Sequence, residues 1–325
     1  MTQDPTERPL PQRWMQVCEA LASDSGIAMV IGASDSGKTT WVGAAARQLV
    51  QAGKFPVAIV DADIGQSTIG PPTTIALAFL QENLIPDFRI DHLPCHSLFF
   101  VGSVSPPGHL LQILVGTKRL VDTAVRSGAG SVLVDTTGLI DQGLGFQLKL
   151  RKIELLGPRH LVALQRGNEL EPLLAVVAGR SGFKIHRLEV PPSARARAPA
   201  ERTRYRSDRF AAYFAGSHHL ALEVGQLIVL APPGGRLAAK IGSSSPLLHP
   251  TMLRREDLIG LLIGLHDSAN ETIGLGICED VSRDNRHIHV RTPVAATAAI
   301  RILQLGNVYL DEQGDGVTER KCHLQ

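Results

Sequence analysis

Cysteine is scarce in this sequence. Cys18, Cys95, Cys278 and Cys322 are the four present, and no two stand in C-x-x-C spacing. That argues against a disulfide framework or a zinc knuckle and makes a reducing, cytoplasmic compartment the expectation. Long apolar runs are missing too: TIALAFL (74–80) and GQLIVLA (225–231) are strand-sized, well short of the roughly 18 residues of a membrane span. The opening MTQDPTERPLPQ is polar with mixed charge and holds no apolar segment of a secretory signal. Neither sign of charge dominates, with 33 Lys and Arg against 31 Asp and Glu, so affinity for a nucleic acid has to come from a local patch. Aromatics make up 4%, which weakens any base-stacking platform. The 12 histidines include no H-E-x-x-H and no tight His/Cys cluster, and His218-His219 and His287/His289 read as surface or strand residues.

What the sequence has in quantity is core-forming material. Hydrophobic residues make up 44% and charged residues 20%, a balance at odds with disorder and with a coiled coil. At about 100–200 residues per domain, a chain of this length suggests two. Through the first half, short β-branched runs alternate with longer helical stretches, the pattern of a parallel sheet with crossover helices. Strands are expected at 27–31, 56–61, 97–101, 131–135, 160–165 and 184–190. Helices are expected at 41–53, stopped by Gly53, and at 109–126, 146–156 and 169–179. After Val190 the texture changes: a Pro-Pro breaker leads into a stretch carrying Arg195, Arg197, Arg202, Arg204, Arg206 and Arg209. Beyond about residue 217, short strands divided by Gly, Asp and Asn suggest a small antiparallel sheet or barrel, with Ser282–Asn285 as a hairpin turn. No internal repeat is evident.

Gly32-Ala33-Ser34-Asp35-Ser36-Gly37-Lys38-Thr39 matches G-x-x-x-x-G-K-[ST] and lies between an expected strand and an expected helix. The chemistry requires this spacing. Glycines let backbone N–H groups curl around phosphates, and the helix N-terminus adds partial positive charge. Lys38 then reaches the β- and γ-phosphates, the Thr39 hydroxyl ligates Mg²⁺, and Thr40 completes the run. Asp35 is unusual inside such a loop and is expected to cap the turn. The chain is therefore expected to bind a nucleoside triphosphate. The fold expected is α/β, a P-loop NTPase with a mainly parallel sheet plus a small C-terminal β-rich domain. Its divisions are an N-terminal extension (1–24), a P-loop domain (25–216) with an arginine lid at 193–210, and the β-rich domain (217–325). No [NT]KxD guanine motif occurs, since Thr117-Lys118-Arg119-Leu120 lacks the acid. Gln165, at a strand end, stands where a base-reading residue would lie, and ATP is the expected nucleotide.

Three aspartates follow strands. Asp61 and Asp63 in VAIVDADIGQ, and Asp135 in VLVDTTG, suit the tasks of orienting an acceptor and supporting Mg²⁺. Their spacing does not divide those tasks among them, although Asp61 and Asp135 are placed on the metal side. Thr136 and Gly138 are positioned to line the γ-phosphate. Arg202 and Arg206 have i, i+4 spacing and share one helix face. On a mobile segment they would close over transferring phosphate and stabilise its charge.

Together these residues resemble the polynucleotide 5′-hydroxyl kinase family. It comprises the kinase subunit of the eukaryotic mRNA 3′-end cleavage factor, the pre-rRNA-processing kinases and their prokaryotic relatives. GASDSGKTT looks like the family's P-loop, and DADIGQ is similar to its D-x-x-Q element. Thr136-Thr137-Gly138-Leu139 resembles its Thr-x-Gly-Trp clasp with Leu139 in place of tryptophan. Arg202-x-x-x-Arg206 resembles its lid. LQRGNELEPLL resembles the adenine-side strand and helix of the prokaryotic members, and the stretch from Gly274 to about residue 312 resembles their closing β-domain. The resemblance implies ATP-dependent phosphorylation of a 5′-hydroxyl end of single-stranded or end-exposed RNA or DNA. Asp63 would be the general base with Gln66 as its partner on the substrate side, and Lys38, Arg202 and Arg206 would act on the γ-phosphate. The rivals are an ATP-binding scaffold without turnover, and a P-loop ATPase or small-metabolite kinase. On the kinase reading, Lys38→Ala and Asp63→Ala abolish transfer. Arg206→Ala lowers turnover more than nucleotide affinity in paired kinetic and binding titrations, and the reverse result would sink the arginine assignment.

Overall fold

The computed structural model describes residues 11–81, 88–232, 247–249, 254–295, 297–311 and 317–319. The first ten residues of the expected N-terminal extension, and Cys322, lie outside that set. The strands are β1 (Ile27–Gly32), β2 (Val57–Ala62), β3 (Thr74–Leu80), β4 (Ser97–Phe100), β5 (Ser131–Thr136), β6 (His160–Gln165) and β7 (Lys184–Glu189). They continue with β8 (His218–Glu223), β9 (Ile228–Leu230), β10 (Leu247–Leu248), β11 (Leu261–His266), β12 (Thr272–Val281), β13 (His287–Thr292), β14 (Ile302–Leu310) and β15 (Val317–Glu319). The main helices are α1 (Gln12–Ser23), α2 (Lys38–Gln51), α3 (Leu110–Arg126), α4 (Leu144–Leu156), α5 (Glu171–Val177) and α6 (Pro199–Phe214).

The backbone separates into two compact units that interleave along the chain. One takes the chain up to Val60 with Ala78–Pro94 and Val121–Ala196. The other takes Asp61–Leu77, Cys95–Leu120 and the chain from Arg197 onward.

In the first unit the strand order is β2-β5-β1-β6-β7, and β1 runs parallel to both β5 and β6. β5 and β6 are buried at every position, as expected of parallel strands covered on both faces. Helix α2 presents Trp41, Val42, Ala45, Ala46, Leu49 and Val50 to the core. It ends as the sequence suggests: Gly53 takes φ 74°, its N–H donates to Val50 O, and the Lys54 N–H donates to Leu49 O. This is the paired closure that a left-handed glycine permits. Helix α1 was not anticipated within the N-terminal extension. Its buried Trp14, Val17, Cys18 and Leu21 follow i, i+3, i+4, i+7 spacing and lie against α2.

The second unit is built on the order β10-β9-β14-β11-β12-β4-β3, with β13 and β8 continuing from β12 and β15 pairing β14. It is antiparallel apart from the β14/β9 pair. β3 and β4 also run antiparallel, so the first half of the chain is not uniformly parallel. Strand β11 is buried at all six positions because its two faces serve two cores. Leu261, Ile263 and Leu265 enter one core, and Leu262 enters the other with Phe100, Leu275, Ile277 and, from α6, Phe210 and Phe214. Gly264 has no side chain because a Cβ there would strike the Phe100 ring. The expected turn at Ser282–Asn285 joins β12 to β13, with Asn285 left-handed at φ 56°.

A polar cluster centred on the buried His160 braces the first unit. The His160 and His186 rings stack with centroids 5.3 Å apart, and His160 Nδ1 lies 3.0 Å from His186 Nε2. His160 Nε2 lies 2.6 Å from Asp24 O, and the Asp24 carboxylate pairs with Arg159 and Lys184. Burial pulls both imidazoles below the ordinary value of 6.5, His186 to about 4. The unfolded chain therefore binds protons more readily than the folded one across this window, and stability falls as pH drops from about 6.5 towards 4. Thermal melts across that range should show a shallower pH slope for His186→Gln, which keeps a donor but does not titrate.

Candidate active site

The phosphate loop follows β1 in the first unit, and its glycines are set by space and conformation. A Cβ on Gly32 would lie 2.7 Å from Leu164 O, and one on Gly37 would lie 2.9 Å from the Trp14 ring. Gly37 also takes φ 90°, and Asp35 is left-handed at φ 57°, a conformation short polar residues tolerate. No side chain caps the start of α2, so its first amides are left for a ligand, the arrangement that binds phosphate at helix N-termini. Lys38 is buried, and its Nζ donates to Ala33 O at 2.7 Å. The ammonium is thus folded over its own loop.

Beside this loop, Thr39 Oγ1 donates to Asp135 Oδ2 at 2.5 Å. A hydroxyl and a carboxylate oxygen so close at the foot of a phosphate loop are hard donors suited to Mg²⁺, directly or through water. Gly138 sits hard against the loop: a Cβ there would lie 2.5 Å from Ser34 N. Thr136 is turned inward, donating from Oγ1 to Val30 O at 2.6 Å. Sequence reasoning missed Lys149, a lysine 1% exposed. Its Nζ donates to Thr136 Oγ1 at 2.8 Å and to Thr137 O at 2.6 Å, fixing the turn that holds Gly138. The signal was present in the spacing: Leu148, Lys149, Lys152, Ile153 and Leu156 form the buried stripe of α4, with two lysines at apolar positions.

Gln165 serves the fold. Its Nε2 donates to Glu171 Oε1 at 2.7 Å, and its Oε1 accepts from Leu170 N at 3.3 Å. Arg187 grips the same Glu171, and these bonds, led by Arg187, hold the Glu171 carboxyl below its ordinary range. Both ends of the Gln165 amide, the residue expected to read the base, are thus bonded to the corner after β6.

The other acidic set belongs to the second unit. Asp61 is 2% exposed, and its carboxylate accepts from the backbone of Asp63 at 3.1 Å, Thr68 at 2.6 Å and Ile69 at 3.0 Å, and from Ser67 Oγ at 3.2 Å. Asp61, expected on the metal side, organises its own loop through these contacts. Asp63 is half-buried; Oδ1 accepts from Gly65 N and Gln66 N, both at 3.1 Å, while Oδ2 has no hydrogen bond among the described residues. Gln66 Nε2 donates to Gly65 O at 2.8 Å and to Arg202 O at 3.4 Å.

Helix α6 lies along this loop. Tyr205 Oη donates to Ser67 O at 3.0 Å, and Arg209 Nη2 donates to Ile69 O at 3.0 Å and to Gly70 O at 2.9 Å. Burial pushes the Tyr205 phenol above its ordinary value near 10, which keeps it a donor. The expected mobile arginine segment is thus a helix, fastened to the core by Phe210 and Phe214 and to the loop by Tyr205 and Arg209. Arg202 and Arg206 share its loop-side face.

Comparison with known proteins adds to this geometry. The family described as mRNA cleavage and polyadenylation factor CLP1 P-loop matches residues 32–216. A polyribonucleotide 5′-hydroxyl-kinase of Pyrococcus abyssi is 31% identical, over 90% of this chain and 91% of the relative. One from Methanocaldococcus jannaschii is 29% identical over 88% of each. Among solved structures, the wild-type Clp1p–Pcf11p complex superposes with a TM-score of 0.66 at 14% identity, covering 90% of this chain and 77% of that one, a likeness of fold.

The different surroundings of Asp61 and Asp135 can be separated by experiment. Asp61→Ala strips several buried donors of their acceptor and should cost about 2–4 kcal/mol in urea unfolding, whatever the Mg²⁺ concentration. Asp135→Asn should instead raise the Mg²⁺ concentration needed for half-maximal nucleotide binding.

Proposed function

Given that the chain belongs to the mRNA cleavage and polyadenylation factor CLP1 P-loop family, we propose that it transfers the γ-phosphate of ATP to the 5′-hydroxyl end of RNA. The observation that carries the chemistry is the asymmetry of Asp63. One oxygen is held by two backbone amides and the other is left to accept a proton. In this reading the terminal hydroxyl attacks the γ-phosphorus in line, its proton passes to Asp63 Oδ2, and the bond to the β,γ-bridging oxygen breaks to release ADP.

The phosphate loop of residues 32–40 binds the triphosphate, with Lys38 exchanging its Ala33 contact for phosphate oxygens. Thr39 and Asp135 would hold Mg²⁺, which when bound neutralises charge on the β- and γ-phosphate oxygens. Thr136 and Gly138, braced by Lys149, shape the wall beside Ser34. Arg202 and Arg206 supply guanidinium groups for the transferring phosphoryl, and Gln66 aligns the acceptor end. Asp61 serves as the organiser of the acceptor loop.

RNA is placed ahead of DNA as substrate because the relatives that span the chain bear the name polyribonucleotide 5′-hydroxyl-kinase. No helix among the described residues is long and apolar enough to cross a membrane, and Cys18, Cys95 and Cys278 carry free thiols. The free thiols suit the cytoplasmic RNA-processing enzyme proposed. The test is transfer of labelled γ-phosphate to short 5′-hydroxyl RNA and DNA oligonucleotides, beside 5′-phosphorylated controls and Lys38→Ala. Label is expected on free 5′-hydroxyl ends alone, with RNA preferred, and absent with Lys38→Ala. ATP binding without transfer to any oligonucleotide would overturn the kinase and favour a nucleotide-bound scaffold.

A further inference from the structure

We propose that Tyr205 and Arg209 are positioning residues that lock helix α6 to the 61–70 loop, so that Asp63, Arg202 and Arg206 form one preassembled body. The inference rests on the kinase reading for its kinetic consequence but not for its structural one.

The backbone of the loop is gripped on both sides of its peptide dipoles. Its N–H groups at residues 63, 68 and 69 donate to the Asp61 carboxylate, and those at 65 and 66 donate to Asp63 Oδ1. Its carbonyls at 67, 69 and 70 accept from Tyr205 and Arg209. A buried anion holds the donors and a half-buried cation holds the acceptors. Asp61 meets three backbone amides and the Ser67 hydroxyl, and Arg209 Nη2 meets two backbone carbonyls, so the loop has little freedom to rearrange without exposing one of them.

The helix side is equally constrained. Residues 202, 205, 206 and 209 follow i, i+3, i+4, i+7 spacing and occupy one stripe of α6. The two loop clamps therefore alternate with the two arginines assigned to phosphate. Further along the helix, Phe210 and Phe214 are 0% and 4% exposed, and this anchors the stripe to the core of the same unit. Two further cross-links close the arrangement: Gln66 Nε2 donates to Arg202 O at 3.4 Å, and Arg197 Nη1 donates to Gln66 Oε1 at 3.4 Å. Base and arginines are thus set relative to each other before any substrate arrives. In-line transfer is sensitive to displacements of about 1 Å, which can cost about 100-fold in rate. Loosening either clamp should therefore act on turnover.

The experiment compares wild type with Tyr205→Phe, Arg209→Met and Arg209→Lys, reading kcat, ATP Kd, Tm and hydrogen exchange of the loop amides. Tyr205→Phe should lower kcat about tenfold and Arg209→Met about 100-fold, with ATP Kd unchanged within twofold. Arg209→Lys should recover part of the loss. Exchange at Thr68 and Ile69 should accelerate about tenfold in Tyr205→Phe and more in Arg209→Met. If Arg209→Met fails to melt cooperatively, Tyr205→Phe, which removes a single oxygen, decides. Unchanged loop exchange in Tyr205→Phe overturns the inference. So does a kcat loss matched by an equal loss of ATP affinity. A wild type without transfer overturns the kinase reading instead, and loop exchange still decides whether the clamps hold.

Discussion

The carboxylate of Asp61 decides the course of the chain after β2. A buried anion at a strand end must find donors, and here it finds them in three backbone amides of the next eight residues and in the Ser67 hydroxyl. Folding the loop around that one group turns Asp63 so that its Oδ1 meets two further amides, and presents the carbonyls of 67, 69 and 70 outward. Without Asp61 the loop amides would be buried without acceptors, a cost of about 1–3 kcal/mol for each group. The geometry at Asp63 and the seat of α6 both follow from this single choice of residue.

The phosphate-binding half obeys a different constraint, that of space. Gly32, Gly37 and Gly138 each sit where a methyl group would collide with backbone or ring. The loop is shaped by what cannot be there as much as by what is. Lys149 adds a buried cation whose hydrogen bonds go to a hydroxyl and a carbonyl of the turn, and so it stiffens the wall beside the loop.

The parts of this protein that were legible in the sequence are those where local pattern and local chemistry coincide. The strand, G-x-x-x-x-G-K-T run and helix at 27–51 could be read because glycine, lysine and helix periodicity all occur within one short segment. The Gly53 stop and the Ser282–Asn285 turn were legible for the same reason. Helix α1 was overlooked because the polar opening of the chain masks the spacing of Trp14, Val17, Cys18 and Leu21. Spacing alone left Asp61 and Asp63 undivided, since two acids two residues apart look alike until burial separates them. Gln165 shows the limit of such reading, because a polar residue at a strand end suits ligand binding and corner-bracing equally. Tyr205 and Arg209 act on residues about 140 positions away, and the interleaving of the two units hides such pairs from any linear scan.

The indole of Trp14 lies under Gly37 and donates from Nε1 to Glu189 O at 3.1 Å. Trp41, the other tryptophan of the sequence, is fully buried one turn into α2. Every tryptophan in the chain therefore stands within a few residues of the phosphate loop or directly beneath it. The tryptophan emission of the protein arises from this one neighbourhood, so the molecule carries a built-in optical probe of its nucleotide cradle and is dark to selective tryptophan excitation elsewhere.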